Sequence, residues 1–289
     1  MDNKVIIKII RDDLKQFIID NEYWHLPSQD GLENFGFFEN ELTLINNAVT
    51  DGAMIASHRM GTIDRTIHFN NKNPRKRNDV DRMEILGFFS ANHTYKIYVT
   101  YLGITRWCEG MILKMELPTQ NINWRLDCVV TFLCNNPYMK SYDNFGKDIA
   151  SVVPMVGFPY LSKIGTGKPS GYFAFDRFVV LNNDGDSEAT FKAVFRANGT
   201  VTNPKLIIND YFVRVIDILH EGDEIEMDFN AMPPTIKKNG INWIGHCDRN
   251  SNFDKMRLGI GDTEVSFDAD DGSNLLSVSI YYNKLYCGI

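Results

Sequence analysis

A period of two in the second half of the sequence limits what this chain can become more than any other feature. Leu276, Val278, Ile280 and Tyr282 alternate with Ser277, Ser279 and Tyr281, and Ile225, Met227 and Phe229 alternate with Glu226 and Asp228. Successive side chains of a strand point to opposite faces, so this pattern demands strands that are buried on one side and wet on the other. Further short strand-forming runs lie at 188 to 196, 205 to 208, 212 to 218, 235 to 237 and 264 to 267, separated by turn residues. Asn198-Gly199 and Asn239-Gly240 suit type I′ hairpin turns, whose central residues both need positive φ, and Gly261-Asp262 marks another turn. Antiparallel strands at this spacing predict a β-sandwich of jelly-roll or galectin-like type.

The first half is also mainly β, with one helix. Strands are expected at 5 to 10, 14 to 19, 42 to 45, 65 to 69, 95 to 101, 111 to 117 and 127 to 134, from their β-branched and aromatic content. Asn78 or Asp79 can cap a helix in which Val80, Met83, Leu86 and Phe89 recur at three-residue spacing and are expected to share a face. Gly87 weakens that helix by about 1 kcal/mol relative to alanine. From 135 to 172 the chain is rich in proline and glycine with little periodicity. The 289 residues exceed the usual size of one domain. The expected division is therefore an N-terminal domain over 1–150 and a C-terminal sandwich over 151–289.

No apolar run is long enough to span a membrane, and the first residues carry no pattern of a signal peptide, which predicts cytoplasmic synthesis. The net charge of −7 opposes nonspecific binding to phosphate backbones. Arg75, Lys76 and Arg77 form a local basic exception. The five cysteines, Cys108, Cys128, Cys134, Cys247 and Cys287, lack a C-x-x-C pair and are expected to be reduced core residues.

A search for chemistry returns little. The six histidines are scattered, and no zinc-protease, nucleophile-elbow or phosphate-loop sequence occurs. Asn182 to Glu188 and Asp268 to Gly272 carry the oxygen ligands that calcium prefers, but both lie between expected strands, where such residues build turns. Trp243, Tyr281 and Tyr282 are candidates for a sugar-stacking platform, although the alternation places one of the adjacent tyrosines inside. No catalytic residue, cofactor or metal is expected, and the chain reads as a structural protein that works through its surfaces. The alternative is a carbohydrate-binding or adhesion module.

Several segments, taken in order, resemble a known family. Asp64 to Phe69, the helical stretch from Asp79 to Phe89, Tyr95 to Tyr101, Arg106 to Met115, and Val129 to Phe132 closing on Asn136-Pro137-Tyr138 are similar to the N-terminal half of siphophage distal tail proteins, the Dit family. Val180 to Asp186, Asn203-Pro204, Glu221 to Ile225, Asn239-Gly240 and Tyr286 to Ile289 resemble that family's C-terminal sandwich. The resemblance implies a ring, typically a hexamer, at the distal end of the tail tube, formed through the N-terminal domains with galectin-like domains outward. It implies the tail tube protein, a tail-associated lysin or tip protein and receptor-binding proteins as partners. The place would be the virion tail, within the baseplate used for host attachment, after assembly in the host cytoplasm. The linkage near 135 to 172 lacks the large insertion of the family's carbohydrate-binding versions.

A permanent ring needs an apolar contact surface on each subunit. The first half offers Trp24, Phe35, Phe37, Phe38, Phe88 and Phe89 outside clean two-faced strands, some for the core and some for a neighbour. Arg75, Lys76 and Arg77 complete the candidate surface as a basic contact for an acidic partner.

Overall fold

The computed structural model describes residues 5–20, 22–27, 31–37, 39–47, 50–71, 78–119, 125–143, 147–148, 150–154, 171–175 and 178–289. The protein is mainly β, with 56% strand and one α-helix among the described residues. It divides into two compact units, Met1–Tyr142 with Leu285–Ile289, and Asp143–Lys284. The boundary thus falls before the expected position at 150, and the last five residues belong to the first unit.

In the first unit, one antiparallel sheet runs in the order Gln16–Ile19, Ile6–Arg11, Thr94–Tyr101, Ile104–Glu116, Asp127–Cys134, Ile63–Asn71, Trp24–His25. Its inner face carries Ile7, Ile9, Ile67, Ile97, Val130 and Phe132, all fully buried. Phe17, Trp24, Phe69, Phe88, Phe89, Tyr95 and Phe132 form a connected aromatic core with ring centroids 4.9 to 6.4 Å apart.

The helix spans Asn78–Phe88 and buries a different face from the one its spacing predicts. Asp81, Ile85 and Phe88 point inward, while Val80, Met83 and Leu86 are exposed. Three-residue steps on a helix of 3.6 residues per turn drift by about 60° each, so Val80, Met83, Leu86 and Phe89 wind halfway round it. Steps of four and three, as in Asp81, Ile85 and Phe88, hold one face. Asp81 is accommodated because its Oδ2 accepts hydrogen bonds from the Tyr23 hydroxyl and from Asn71 Nδ2. The last turn of the helix holds no basic residue, but Arg11 of a neighbouring strand supplies one. Its Nη1 donates to the carbonyls of Gly87 and Phe88 at 2.9 and 2.8 Å, satisfying acceptors that a helix C-terminus leaves open. Asp13 in turn pairs with Arg11 at 2.6 Å, and that pairing holds its carboxyl well below the usual range.

The second unit is a sandwich. A six-stranded sheet, Lys147–Asp148, Leu276–Tyr282, Phe191–Ala197, Glu224–Asp228, Thr235–Lys238, Ile241–Asn242, shares its core with a four-stranded one, Phe178–Asn183, Gly261–Asp268, Lys205–Ile208, Tyr211–Arg214. The expected alternation holds: Leu276, Val278, Ile280 and Tyr282 are buried, as are Ile225, Met227 and Phe229. Asn239 and Gly240 adopt φ of 50° and 81° and turn the hairpin between Thr235–Lys238 and Ile241–Asn242. Asn198-Gly199 does not make the expected turn, since neither residue has positive φ. Asn198 instead donates from its backbone to Leu275 O at 2.7 Å and from its side chain to Ser277 Oγ at 2.9 Å, which ties it to a strand distant in sequence. No helix among the described residues is long and apolar enough to cross a membrane.

Candidate interaction surface

The residues that sequence reasoning nominated for an oligomer contact part company in the structure. Trp24, Phe35, Phe88 and Phe89 are 3 to 6% exposed and belong to the core of the first unit, which corrects their candidacy. Trp24, Phe88 and Phe89, from a short strand and a helix end, feed one aromatic cluster, and Phe35 packs into the same hydrophobic core, so their irregular spacing marks interior rather than surface. Phe37 alone of the described candidates is exposed, at 50%. Phe38, Arg75, Lys76 and Arg77 lie outside the described residues.

A feature that the sequence showed only in part, as the strand expected at 42 to 45, stands beside them. Strands Asn40–Asn46 and Ala53–Met60 pair with each other antiparallel and with no other strand among the described residues. Every residue of Asn40–Asn46 is exposed, and so is every residue of Ala53–Met60 except Met60, which is half-buried. The hairpin nevertheless carries Leu42, Leu44, Ile45, Met54 and Ile55, each at least half open to solvent. Leu44 faces Ile55 across the ladder and Ile45 faces Met54, so adjacent cross-strand pairs put apolar side chains on both faces. A two-stranded hairpin without a covering layer is marginally stable in water, and exposed apolar area of this kind marks a contact site. The signal in the sequence was weak because Ala53–Met60, with Ser57, His58 and Arg59, carries no clean alternation.

The exposed helix face adds Val80, Met83 and Leu86 to the apolar surface of the first unit, and the strand Ile104–Glu116 adds Ile104, Met111 and Leu113.

The second unit holds polar clusters. Lys238 Nζ lies 2.8 Å from Asp217 and 3.4 Å from Asp223, and Trp243 Nε1 donates to Asp217 at 3.0 Å. The backbone N–H of His220 and the Asn239 amide, aided by Lys238, lower the Asp223 carboxyl to about 2. Trp243 also stacks on His246 at 3.9 Å between ring centroids. The three-ring platform considered for sugar does not form. Tyr282 is 3% exposed, with its hydroxyl bonded to Asn182 O, and Trp243 is committed to the Asp217 and Lys238 cluster, so the two tyrosines line a groove of about 400 Å³ without Trp243. The rest of the groove is lined by Val194 and by charged and amide groups, with Lys192 paired to Glu226 at 2.7 Å and Arg196 to Glu224 at 2.8 Å.

The oxygens considered for calcium are engaged elsewhere. Asp184 pairs with Lys284 at 2.8 Å and Glu188 with Arg257 at 3.7 Å, while buried Asn183 bonds to Ser187 O and the Gly185 N–H to hold the turn. No group of metal-ligating side chains gathers among the described residues. Cys108, Cys128 and Cys134 are buried as expected, whereas Cys247 and Cys287 are only partly so.

No family model and no curated protein matches the sequence. Solved structures do match the fold. The SPP1 Dit protein, described as a paradigm of the hub adsorption apparatus in phages infecting Gram-positive bacteria, superposes with a TM-score of 0.64 at 11% identity, over 96% of this chain and 98% of that one. The chain has a Dit-like fold. The phage P2 baseplate in its activated conformation contains a similar chain, with TM-scores of 0.56 in the calcium structure and 0.55 in the strontium structure, each at 10% identity and 97% of this chain. Because the likeness to SPP1 Dit extends over nearly the whole of both chains, the Dit-like arrangement covers both units rather than one shared sandwich.

Proposed function

We propose that this Dit-like chain is a structural component of a phage tail, a hub at the distal end of the tube that self-associates into a ring, hexameric by the family resemblance. The observation that carries the reading is the whole-length match to a hub protein, over 96% of this chain. The exposed hairpin supports it, since an arm with apolar residues on both faces needs a neighbour to cover it. On this reading the first unit carries the self-association surface. The second unit, taken as galectin-like, stands outward to receive receptor-binding proteins, while the ring adjoins the tail tube protein and the tip protein or tail-associated lysin. The chain then performs no catalysis and needs no cofactor. It reaches the virion by assembling in the host cytoplasm and serves host attachment as part of the baseplate.

Native mass spectrometry of the purified full chain tests the reading. A closed oligomer, with six copies as the expected count, supports it. A chain that stays monomeric at every accessible concentration, with no rings in negative-stain images, removes it.

A further inference from the structure

The outer face of the sheet in the first unit carries an array of side chains that the hub reading does not use. Lys8 and Ile10 alternate with buried Ile7 and Ile9, Lys96 and Tyr98 alternate with buried Tyr95, Ile97 and Val99, and Trp107 and Glu109 flank buried Cys108. The ladders bring these positions into register. Lys8 stands opposite Tyr98, Tyr98 opposite Trp107, and Trp107 opposite Lys140 of the strand Met139–Ser141. One row at right angles to the strands therefore reads lysine, tyrosine, tryptophan, lysine, and Lys96 lies in the next row on the same face.

Contacts hold this row in place. The Tyr98 and Trp107 rings stack with centroids 5.9 Å apart, and Tyr142, 64% exposed, meets Tyr98 edge-on at 6.1 Å. Trp107 Nε1 donates to Ser141 O at 3.0 Å, which fixes the indole. The ammonium groups of Lys140 and Lys96 lie 4.7 and 5.4 Å from the centre of a Trp107 ring, a distance at which the ring attracts them. Neither Lys8 nor Lys96 forms an ion pair among the described residues, and Glu109, opposite Lys96 in the ladder, forms none either. The face thus presents oriented cations around an aromatic centre, in a chain whose net charge is −7. Cations on a surface that their own chain leaves without carboxylates select a partner that brings them.

We infer that this face docks an acidic, extended segment of a partner protein. Adjacent strands lie about 4.8 Å apart, so the three steps from Lys8 to Lys140 span about 14 Å. An extended peptide rises about 3.3 Å per residue and turns alternate side chains to one side, so positions four residues apart are separated by about 13 Å and face the same way. Carboxylates at the two ends of such a stretch reach Lys8 and Lys140, and an apolar side chain at its middle rests on Tyr98 and Trp107. Lys96 adds a third positive charge beside that centre. A polyphosphate is the poorer match, because three ammonium groups release few counter-ions and the net charge of the chain repels a long polyanion.

The test is fluorescence anisotropy of a labelled peptide, with the core Glu-Ser-Leu-Ser-Glu between glycine-serine flanks, titrated with the intact chain at low salt. This peptide should bind, and an isomer with the core Glu-Glu-Leu-Ser-Ser should bind more weakly, because its carboxylates do not reach both end lysines. Lys8→Gln with Lys140→Gln should weaken binding of the first peptide about tenfold, as expected for the loss of two exposed ion pairs. No binding of the first peptide, or equal binding of the two isomers, overturns the inference, and both comparisons use the wild type, so they stand even if the variant fails to fold. Tighter binding of a labelled oligothymidylate of equal length overturns it too, by assigning the face to phosphate. Sedimentation of the same samples separates this inference from the hub reading. A wild type that is monomeric yet takes the peptide removes the hub reading and sustains the docking face, whereas a folded double variant that loses self-association makes the row a contact between copies and overturns the inference.

Discussion

The backbone N–H of Ile289 donates to the carbonyl oxygen of Phe35 at 3.0 Å, fastening residues 285–289 onto the first unit. Leu285 and Tyr286 pair with Lys140 and Met139, and Arg106 donates to Gly288 O while lying over the Tyr286 ring. Gly288 is packed so closely that a Cβ would stand 2.8 Å from Gly36 Cα and 2.9 Å from Phe35 O, both backbone atoms that cannot swing aside. Gly288→Val should therefore cost the first unit about 1–3 kcal/mol. Differential scanning calorimetry should show the transition of that unit lowered and that of the second unaltered. Two unaltered transitions would mean that this clasp contributes nothing in solution.

Proteolysis should cut first between residues 155 and 170, in the proline- and glycine-rich stretch of the sequence that follows the start of the second unit. The nicked halves should stay together on a native sizing column. Lys147 and Asp148 remain paired with Ile280 and Ser279, and Met139 and Lys140 with Tyr286 and Leu285, on opposite sides of a cut at about 160. Separation of the fragments without denaturant would contradict this pairing.

The hairpin is tested by charging one of its cross-strand pairs. Leu44→Glu with Ile55→Lys keeps opposite signs across the ladder, so pairing within the hairpin is preserved. Both positions are exposed, so the thermal stability of the first unit should change by no more than about 0.5 kcal/mol. Sedimentation should nevertheless show a loss of self-association. Full assembly in this double variant would place the contact elsewhere in the first unit.

The helix offers a comparison of its two faces. Ile85→Ala should cost about 2–5 kcal/mol, because the side chain is fully buried. Met83→Lys, 73% exposed, should be close to neutral in urea unfolding. Equal losses at both positions would mean that the helix packs by the three-residue face after all.

Acid should weaken the second unit within a defined window. The Asp223 carboxyl is at about 2 in the fold, against about 3.9 in an unfolded chain, so its contribution is complete above about pH 4 and is lost as pH falls towards 2. Asp223→Asn should flatten the pH dependence of that unit's melting temperature across this range. An unaltered slope would assign the acid sensitivity to other carboxylates.

The sandwich was legible in the sequence because its strands are two-faced. Ser277, Ser279 and Tyr281 face out and their neighbours face in, a pattern that a period of two records without loss. Sequence order also carried the Dit-like arrangement, spread over many weak marks. Other features depend on partners that local pattern does not encode. Asn198 was misread because Leu275 and Ser277 capture it, and the face of the helix was misread because one-dimensional spacing hides angular drift. Part of the candidate surface was misread for a related reason: large aromatics signal burial or contact equally, and Trp24, Phe35, Phe88 and Phe89 are buried, while Phe37 is exposed. Of the hairpin only the strand at 42 to 45 was legible, because Ala53–Met60 carries no clean alternation.

The return of residues 285–289 to the first unit makes Asp143–Lys284 an insertion, joined to its host by two backbone connections instead of one. A pull applied to the inserted unit divides between two covalent paths. Each path also ends in a strand that would have to unzip from its partner, Met139–Ser141 on one side and Leu285–Tyr286 on the other. These two strands pair with each other in the first unit, so the anchors of the two connections reinforce one another under load.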